Sequence, residues 1–139
     1  MRVIAVVSPL GGSGRTTLVA HLASLGARQG QSTLAIELCS QNLLGMHLGM
    51  PHPASQGWAA LAATGSWWAD GSFDNTDGVG VLPFGPAAAD TLTALHQLLA
   101  GNPQWLQDQL ALLDIPEDCT VLLDTPQWSS PLAQAALRC

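Results

Sequence analysis

The most informative part of this chain is Ser8-Pro9-Leu10-Gly11-Gly12-Ser13-Gly14-Arg15-Thr16-Thr17. The apolar run before it, 3–7, predicts a buried strand, and the residues that follow, from Thr16 to about Arg28, predict a helix. A glycine-rich turn between a strand and a helix N-terminus presents backbone N–H groups and the positive end of the helix dipole to an anion. The stretch therefore predicts a phosphate-binding loop.

This loop departs from the pattern G-x-x-x-x-G-K-[ST] at its first glycine and at its lysine, which is Arg15. Arginine is longer than lysine and forked, so it binds phosphate with a different geometry, and binding can survive where hydrolysis fails. Thr16 stands where a hydroxyl would hold magnesium, although a local helix cap is the alternative role. A glycine-rich turn without a ligand is the alternative for the whole loop. The residues predicted to contact a nucleotide are Gly11, Gly12, Ser13, Gly14, Arg15, Thr16 and Thr17.

Two acidic residues end predicted strands. Asp124 closes an apolar run and precedes Thr125-Pro126, and a carboxylate there, beside a phosphate loop, holds magnesium, usually through water. We therefore predict a magnesium site at Thr16 and Asp124, with Asp124 as a catalytic residue; a strand-end aspartate that caps a turn is the alternative. For Glu37, two interpretations stay open: it orients a water for attack on the γ-phosphate, or it is a solvated strand end.

The rest of the chain alternates apolar runs with helical patterns, which predicts an α/β fold: a mainly parallel, doubly wound sheet of about four strands with helices on both faces and right-handed crossovers. No linker divides residues 1–139, so we expect one domain. The predicted strands are 2–8, 33–37, 78–83 and 120–124. The predicted helices are 16–28, 91–100, about 103–113, and one that begins at Ser130-Pro131; residues 51–53 and 65–78 are predicted loops.

Composition excludes several classes of protein. The chain has no lysine, four arginines and ten acidic residues, for a net charge of −6, so it lacks the positive surface that binding to a nucleic-acid backbone requires. No apolar run is long enough to span a membrane, and no leader segment precedes the first strand, so we expect a cytoplasmic protein. Cys39, Cys119 and Cys139 are expected to be free thiols. Cys39 is either a small side chain that packs in the interior or a reactive thiol. The four histidines lack metal-site spacing.

Five tryptophans are many for a chain of this size. Trp58 and Trp105 are expected to fill the core. The adjacent pair Trp67-Trp68 lies in a polar stretch, and its two side chains cannot both point inward easily. Trp128 follows the predicted magnesium ligand. Because tryptophan is enriched where proteins bind one another, the remaining tryptophans suggest a partner.

Several further stretches, in order along the chain, carry a family resemblance. They are Cys39-Ser40-Gln41-Asn42-Leu43-Leu44, Gln56-Gly57-Trp58-Ala59, Leu82-Pro83-Phe84-Gly85, Asp124-Thr125-Pro126 and Ser130-Pro131-Leu132. With the loop, they make the chain similar to the deviant Walker ATPases of the ParA/MinD group. Within that group it most resembles the BcsQ (YhjQ) family of cellulose biosynthesis. Together these markers are much more specific than any one of them.

The resemblance implies a nucleotide, ATP with Mg2+, at the carboxyl ends of the strands, a sandwich homodimer, and a role in assembling or localising the bacterial cellulose secretion machinery. It also implies other subunits of the cellulose synthase complex as partners, and recruitment to the inner membrane or cell pole through them. The group's two loop lysines are Leu10 and Arg15 here, and its two aspartates after the second strand are Glu37 and Cys39. Weak or no hydrolysis is therefore expected. An active ParA/MinD-like partitioning or positioning ATPase and a non-enzymatic scaffold are the alternatives.

The resemblance also bears on length, because members of this group are longer than 139 residues. In related folds the fourth strand lies between the first and second, and later strands cover the other side of the first. The strand at 3–7 would then be an uncovered apolar edge, which invites pairing with another chain. We expect this chain to be unstable alone or to mask that edge by self-association.

Overall fold

The computed structural model describes residues 1–139. Its strands are β1 (Arg2–Val6), β2 (Thr33–Glu37), β3 (Phe73–Asp74), β4 (Gly80–Leu82) and β5 (Thr120–Asp124). Its helices are α1 (Arg15–Arg28), α2 (Leu44–His47), α3 (Trp58–Ala63), α4 (Ala89–Gly101), α5 (Trp105–Ala111) and α6 (Pro131–Ala136), and a 3-10 turn covers Trp68–Gly71. No helix combines the length and the apolar character needed to cross a membrane.

The strands form one sheet in the order β1-β5-β2-β4-β3. β5 pairs in parallel with both β1 and β2, and β2 pairs in parallel with β4. The predicted α/β fold is confirmed, and so is the place of the fourth predicted strand between the first and second. The strands predicted at 2–8 and 78–83 are shorter than expected, ending at Val6 and beginning at Gly80.

Helices cover both faces of this sheet, as predicted. α1 and α2 contribute Val19, Ala20, Ala23 and Leu44 to a core on one face. The other core is larger and receives residues of α3, α4, α5 and α6. Because the three central strands are covered on both sides, the residues between their ends are consecutively apolar rather than alternating, and all five residues of β2 are buried.

The prediction of a loop over 65–78 is wrong for most of residues 68–74. Trp68–Gly71 forms the 3-10 turn, and β3 pairs antiparallel with β4, so the sheet has five strands rather than about four. A side chain causes this hairpin: the Asn75 Oδ1 accepts the N–H groups of Asp77 and Val79 at 3.0 and 2.8 Å. An asparagine that bonds its own following backbone nucleates such turns. A two-residue strand is too short for periodicity to reveal.

An aromatic cluster on the larger core confirms the expectation for Trp58 and Trp105. The ring of Trp58 lies edge-on to Trp68 at 5.8 Å and to Phe84 at 5.2 Å, and stacks with Trp105 at 6.1 Å. Of the adjacent pair, Trp68 is fully buried while Trp67 stays 38% exposed. The cluster joins α3, the 3-10 turn, α5 and the end of β4 into one unit.

Candidate nucleotide-binding site

The loop between β1 and α1 forms an open cradle. Gly12 and Gly14 adopt positive φ angles of 66° and 81°, a conformation that favours glycine. A Cβ added at Gly11, Gly12 or Gly14 would meet no atom within 4 Å. No side chain caps the N-terminus of α1, so its first N–H groups remain available to an anion. The backbone therefore has the form that a phosphate group requires.

The structure brings Thr16 and Asp124 together across the sheet. The Thr16 Oγ1 donates to Asp124 Oδ2 at 2.7 Å, although the two residues lie 108 positions apart. Asp124 is fully buried, and its Oδ1 has no hydrogen-bond partner. A buried carboxylate oxygen without a partner is costly unless something else binds it. The predicted pair thus supplies a hydroxyl and a free carboxylate oxygen, the ligands that Mg2+ prefers.

Arg15 lies over its own loop. Its Nη1 donates to the carbonyl oxygens of Leu10 at 2.9 Å and Ser8 at 3.3 Å, while its Nε is buried without a partner. A guanidinium group is able to hold two oxygens at once, and here the two oxygens are backbone carbonyls of the same loop. Leu10 is 70% exposed and reaches nothing comparable. At the two positions where the ParA/MinD group has lysine, this chain therefore has a cation that bonds its own loop, Arg15, and an exposed apolar side chain, Leu10.

Glu37 ends β2 in register with Asp124 at the end of β5. It is 1% exposed, so the interpretation as a solvated strand end is wrong. Its Oε1 accepts the N–H of Leu44 at 2.9 Å and so holds the first turn of α2. Burial raises the pKa of Glu37 to about 7, with the Asp124 charge adding to the rise and the Leu44 N–H opposing it. The carboxyl group is therefore engaged in the fold, which the sequence did not reveal.

The same burial affects the neighbouring groups. Desolvation raises the pKa of Asp124, opposed by the hydrogen bond from Thr16 and by the Arg15 charge. Desolvation also raises the pKa of Cys39 to about 12, and its Sγ lies 3.7 Å from the Asp124 carbonyl oxygen. Because the thiolate is the reactive form, this pKa favours packing over reactivity for Cys39.

Three of the stretches that carry the family resemblance, 39–44, 56–59 and 82–85, contact one another in the structure. Sequence reasoning did not predict this contact. Asn42, at φ 55°, donates to the Gly85 carbonyl at 2.9 Å and accepts the Gly85 N–H at 2.6 Å. The Trp58 N–H donates to the Pro83 carbonyl at 3.0 Å, and its indole Nε1 donates to the Glu37 carbonyl at 2.7 Å. We call these residues the Asn42–Gly85 junction. An asparagine and a glycine far apart in sequence carry no signal of pairing by themselves.

Other predicted residues lie at the margin of the site. Ser13 is exposed, Thr17 follows Thr16 in the first turn of α1 and is exposed, and Trp128 is 51% exposed in the segment after Asp124. The Thr125 Oγ1 donates to the Val6 carbonyl at 2.6 Å, which ties the end of β5 to the start of the loop. One end of the sheet thus holds the glycine cradle together with Thr16, Asp124, Arg15 and Glu37. Open parallel sheets bind their ligands at this end, outside the carboxyl ends of the strands.

A family model described as "Cellulose biosynthesis protein BcsQ" matches residues 1–139. The cellulose biosynthesis protein BcsQ of Escherichia coli strain K12 is 30% identical to the chain over 135 residues, covering 86% of this chain and 52% of that protein. The chain thus spans about half the length of the curated relatives it matches.

Solved structures share the fold. Cobyrinic acid a,c-diamide synthase from Mycobacterium smegmatis, with bound ATP analogue and magnesium, superimposes with a TM-score of 0.80 at 27% identity, covering 99% of this chain and 56% of that one. The septum site-determining protein MinD of Pyrococcus horikoshii, complexed with Mg-ADP, gives 0.78 at 23% identity, covering 99% and 54%. The fold is that of the MinD/ParA-like P-loop proteins, and by the match over its whole length the chain belongs to the BcsQ family of cellulose biosynthesis proteins.

Proposed function

We propose that this chain is a nucleotide-binding accessory protein of bacterial cellulose biosynthesis, which binds ATP with Mg2+ and acts in assembling or localising the cellulose secretion machinery. The observation that carries the nucleotide site is the Thr16–Asp124 contact of 2.7 Å beneath an open glycine cradle, with Asp124 Oδ1 left without a partner. The role in cellulose biosynthesis rests on family membership, as do the proposed homodimer and its partner subunits. The proposed cytoplasmic location rests on the composition of the chain.

The residues present fit the cofactor. Thr16 and Asp124 would hold magnesium, and the N–H groups of the loop and of the first turn of α1 would hold phosphate oxygens. When bound, magnesium neutralises charge on the phosphate oxygens. Arg15 would exchange its contacts with the Ser8 and Leu10 carbonyls for phosphate oxygens, since a charged acceptor binds a guanidinium more strongly than a carbonyl does.

Three side chains support weak or no hydrolysis. Leu10 has no charge to place on a phosphate, Arg15 replaces the loop lysine, and the Glu37 carboxyl already accepts the Leu44 N–H. An active positioning ATPase is the second candidate, favoured by the structural likeness to MinD. A non-enzymatic scaffold is the third, favoured by exposed Trp128 at the edge of the site.

Calorimetry tests the site directly. ATP and ADP are titrated into the 139-residue chain with and without Mg2+. We expect Mg2+-dependent binding that Thr16→Ala and Asp124→Asn abolish, and Arg15→Ala should weaken affinity about tenfold, the loss of about one charged hydrogen bond. Thr93→Ala, an exposed threonine on α4, is the matched control. Unchanged nucleotide affinity in both Thr16→Ala and Asp124→Asn would show that these residues do not form the magnesium site. Absence of nucleotide binding by the folded wild type would favour the non-enzymatic scaffold.

Phosphate release separates the first candidate from the second. The wild type should release little phosphate from ATP in the presence of Mg2+. The double variant Leu10→Lys/Arg15→Lys places a lysine at both loop positions, which adds one charge and replaces the arginine fork with a compact ammonium. It should release phosphate faster, because a lysine ammonium can stay close to the charge that develops on the γ-phosphate. Mg2+-dependent turnover by the wild type at the rate of the double variant would establish an active ATPase instead.

A further inference from the structure

A cavity of about 580 Å³ opens at the end of the sheet opposite to the nucleotide site. It is lined by residues where β2 and β4 begin, among them Thr33 and Gly80, and by Cys119 just before β5. The phosphate-binding loop and Asp124 lie where β1 and β5 end. Because these strands are parallel, the cavity and the nucleotide site are at opposite ends of the molecule.

The cavity has an apolar floor and an apolar rim. Leu34, Leu82 and Cys119 are buried beneath it. At the rim, Trp67 is 38% exposed and Leu112 is 64% exposed. Large apolar side chains left in water around a concave surface are typical of sites that bind another molecule.

The charge around the cavity is negative. Asp74 and Asp114 line it, neither forms an ion pair, and no lysine or arginine lines it. Two segments at this end, 70–77 and 114–118, carry six of the ten acidic residues: Asp70, Asp74, Asp77, Asp114, Glu117 and Asp118. Of these, Asp77 is neutralised by Arg28 at 3.5 Å. A concave, partly apolar surface with carboxylates of one sign focuses a field that attracts cations.

We propose that this cavity docks a basic amphipathic segment of a partner protein. Apolar side chains of the segment would enter the cavity against Leu34 and Leu82 and cover Trp67 and Leu112, while its lysines or arginines would face Asp74 and Asp114. A polypeptide fits better than a small cation, because the exposed apolar side chains extend the contact surface beyond the cavity itself. The proposal stands independently of nucleotide binding at the other end of the sheet.

The test uses the full 139-residue chain and two synthetic peptides. One is a labelled 14-residue helix-forming peptide with leucine on one face and lysine on the other, and its counterpart carries glutamate in place of lysine. We expect fluorescence anisotropy to show saturable binding of the lysine peptide and none of the glutamate peptide. Asp74→Asn/Asp114→Asn and Leu112→Ala should each weaken binding at least about fivefold, whereas the control Asp90→Asn/Asp108→Asn, on α4 and α5, should change it less than about twofold.

Three results would overturn the proposal. Failure of the folded chain to bind the lysine peptide is the first. Equal weakening by the two pairs of asparagine substitutions is the second, because it would show general attraction to an acidic chain. The third is displacement of the peptide by phenethylammonium at a dissociation constant equal to the peptide's own, which would assign the cavity to a small aromatic cation. Circular dichroism of each variant verifies that the fold is retained.

Discussion

At the scale of single residues, Glu37 shows how burial changes the role of a side chain. Glu37 lies at the end of the sheet where we predict the nucleotide, yet its polar groups bond within the fold. The Leu44 N–H donates to its carboxyl group, and the Trp58 indole donates to its backbone carbonyl oxygen. Its pKa rises from 4.5 to about 7 because the ionised form loses its hydration. The folded state therefore takes up a proton that the unfolded state releases.

This shift predicts that the protein loses stability as pH rises. Between pH 4.5 and about 7 the folded state binds more protons at Glu37 than the unfolded state does, so the free energy of unfolding falls with pH by about 3 kcal/mol in total. The raised pKa of Asp124 acts in the same direction. Glu37→Gln keeps an oxygen for the Leu44 N–H and carries no charge, so urea unfolding at pH 5 and pH 8 should show a much flatter dependence.

Glu117→Gln is the control for this measurement, because Glu117 is exposed. Its unfolding should keep the pH dependence of the wild type. If the Glu37→Gln variant kept the full loss of stability between pH 5 and pH 8, burial of this carboxyl would not be the cause.

At the scale of elements, the Asn42–Gly85 junction positions the segments around the site. The segment after β2 and the segment after β4 are joined by the Asn42 amide, and the start of α3 packs onto the same backbone. This close packing requires Gly57 to lack a side chain. A Cβ at Gly57 would overlap the Phe84 carbonyl oxygen and the Gly85 nitrogen, which are backbone atoms and cannot turn away.

We therefore expect Gly57→Ala to destabilise the protein by about 3 kcal/mol, the upper part of the usual range for overpacking. Gly101→Ala is a matched control, because Gly101 ends α4 and an added Cβ there meets nothing within 4 Å. It should be neutral or slightly stabilising, since alanine is the better helix former. Thermal unfolding measures the stability of both variants. Equal unfolding midpoints would contradict the role of close packing at the Asn42–Gly85 junction.

At the scale of the whole molecule, the edge formed by β1 is the least protected surface. β1 pairs only with β5. Arg2 donates its N–H to the Cys119 carbonyl, so by alternation the backbone groups of Val3 and Ala5 face away from the sheet. Beside this edge, Ile4 and an apolar row on α1 are exposed: Leu18, Leu22 and Leu25. Neither β1 nor α1 contains an acidic residue to discourage pairing.

This edge predicts that the 139-residue chain self-associates through β1 and α1. Sedimentation velocity should show a mass that rises with concentration, and Leu22→Lys should shift the population toward monomer by placing a charge in the apolar row. Leu137→Lys, at the end of α6 and so on the opposite face of the sheet from α1, should leave the association unchanged. A stable monomer whose β1 amides are protected from hydrogen exchange would contradict the prediction.

Local pattern was enough to predict much of this protein. The four longer strands, the helix after the loop and the start of α6 at Ser130-Pro131 follow from apolar periodicity and capping. The predicted nucleotide residues Gly11 to Thr17 lie together in the loop and the first turn of α1 because they are contiguous. The strand β3 was missed because two residues cannot show a period. The helices α2 and α3 were missed because they span only four and six residues and, unlike α6, begin without a side-chain cap.

The class of fold and the family can be read from the amino-acid sequence, because strand and helix patterns are local and the family markers are contiguous runs of residues. Packing in three dimensions sets the rest: Asp124 Oδ2 accepts the Thr16 hydroxyl while Oδ1 has no partner, Glu37 is buried rather than solvated, and Asn42 bonds Gly85. It also decided which tryptophan of the adjacent pair turns inward. These outcomes depend on strand order and on packing between distant segments, and neither is encoded in any short stretch of the chain.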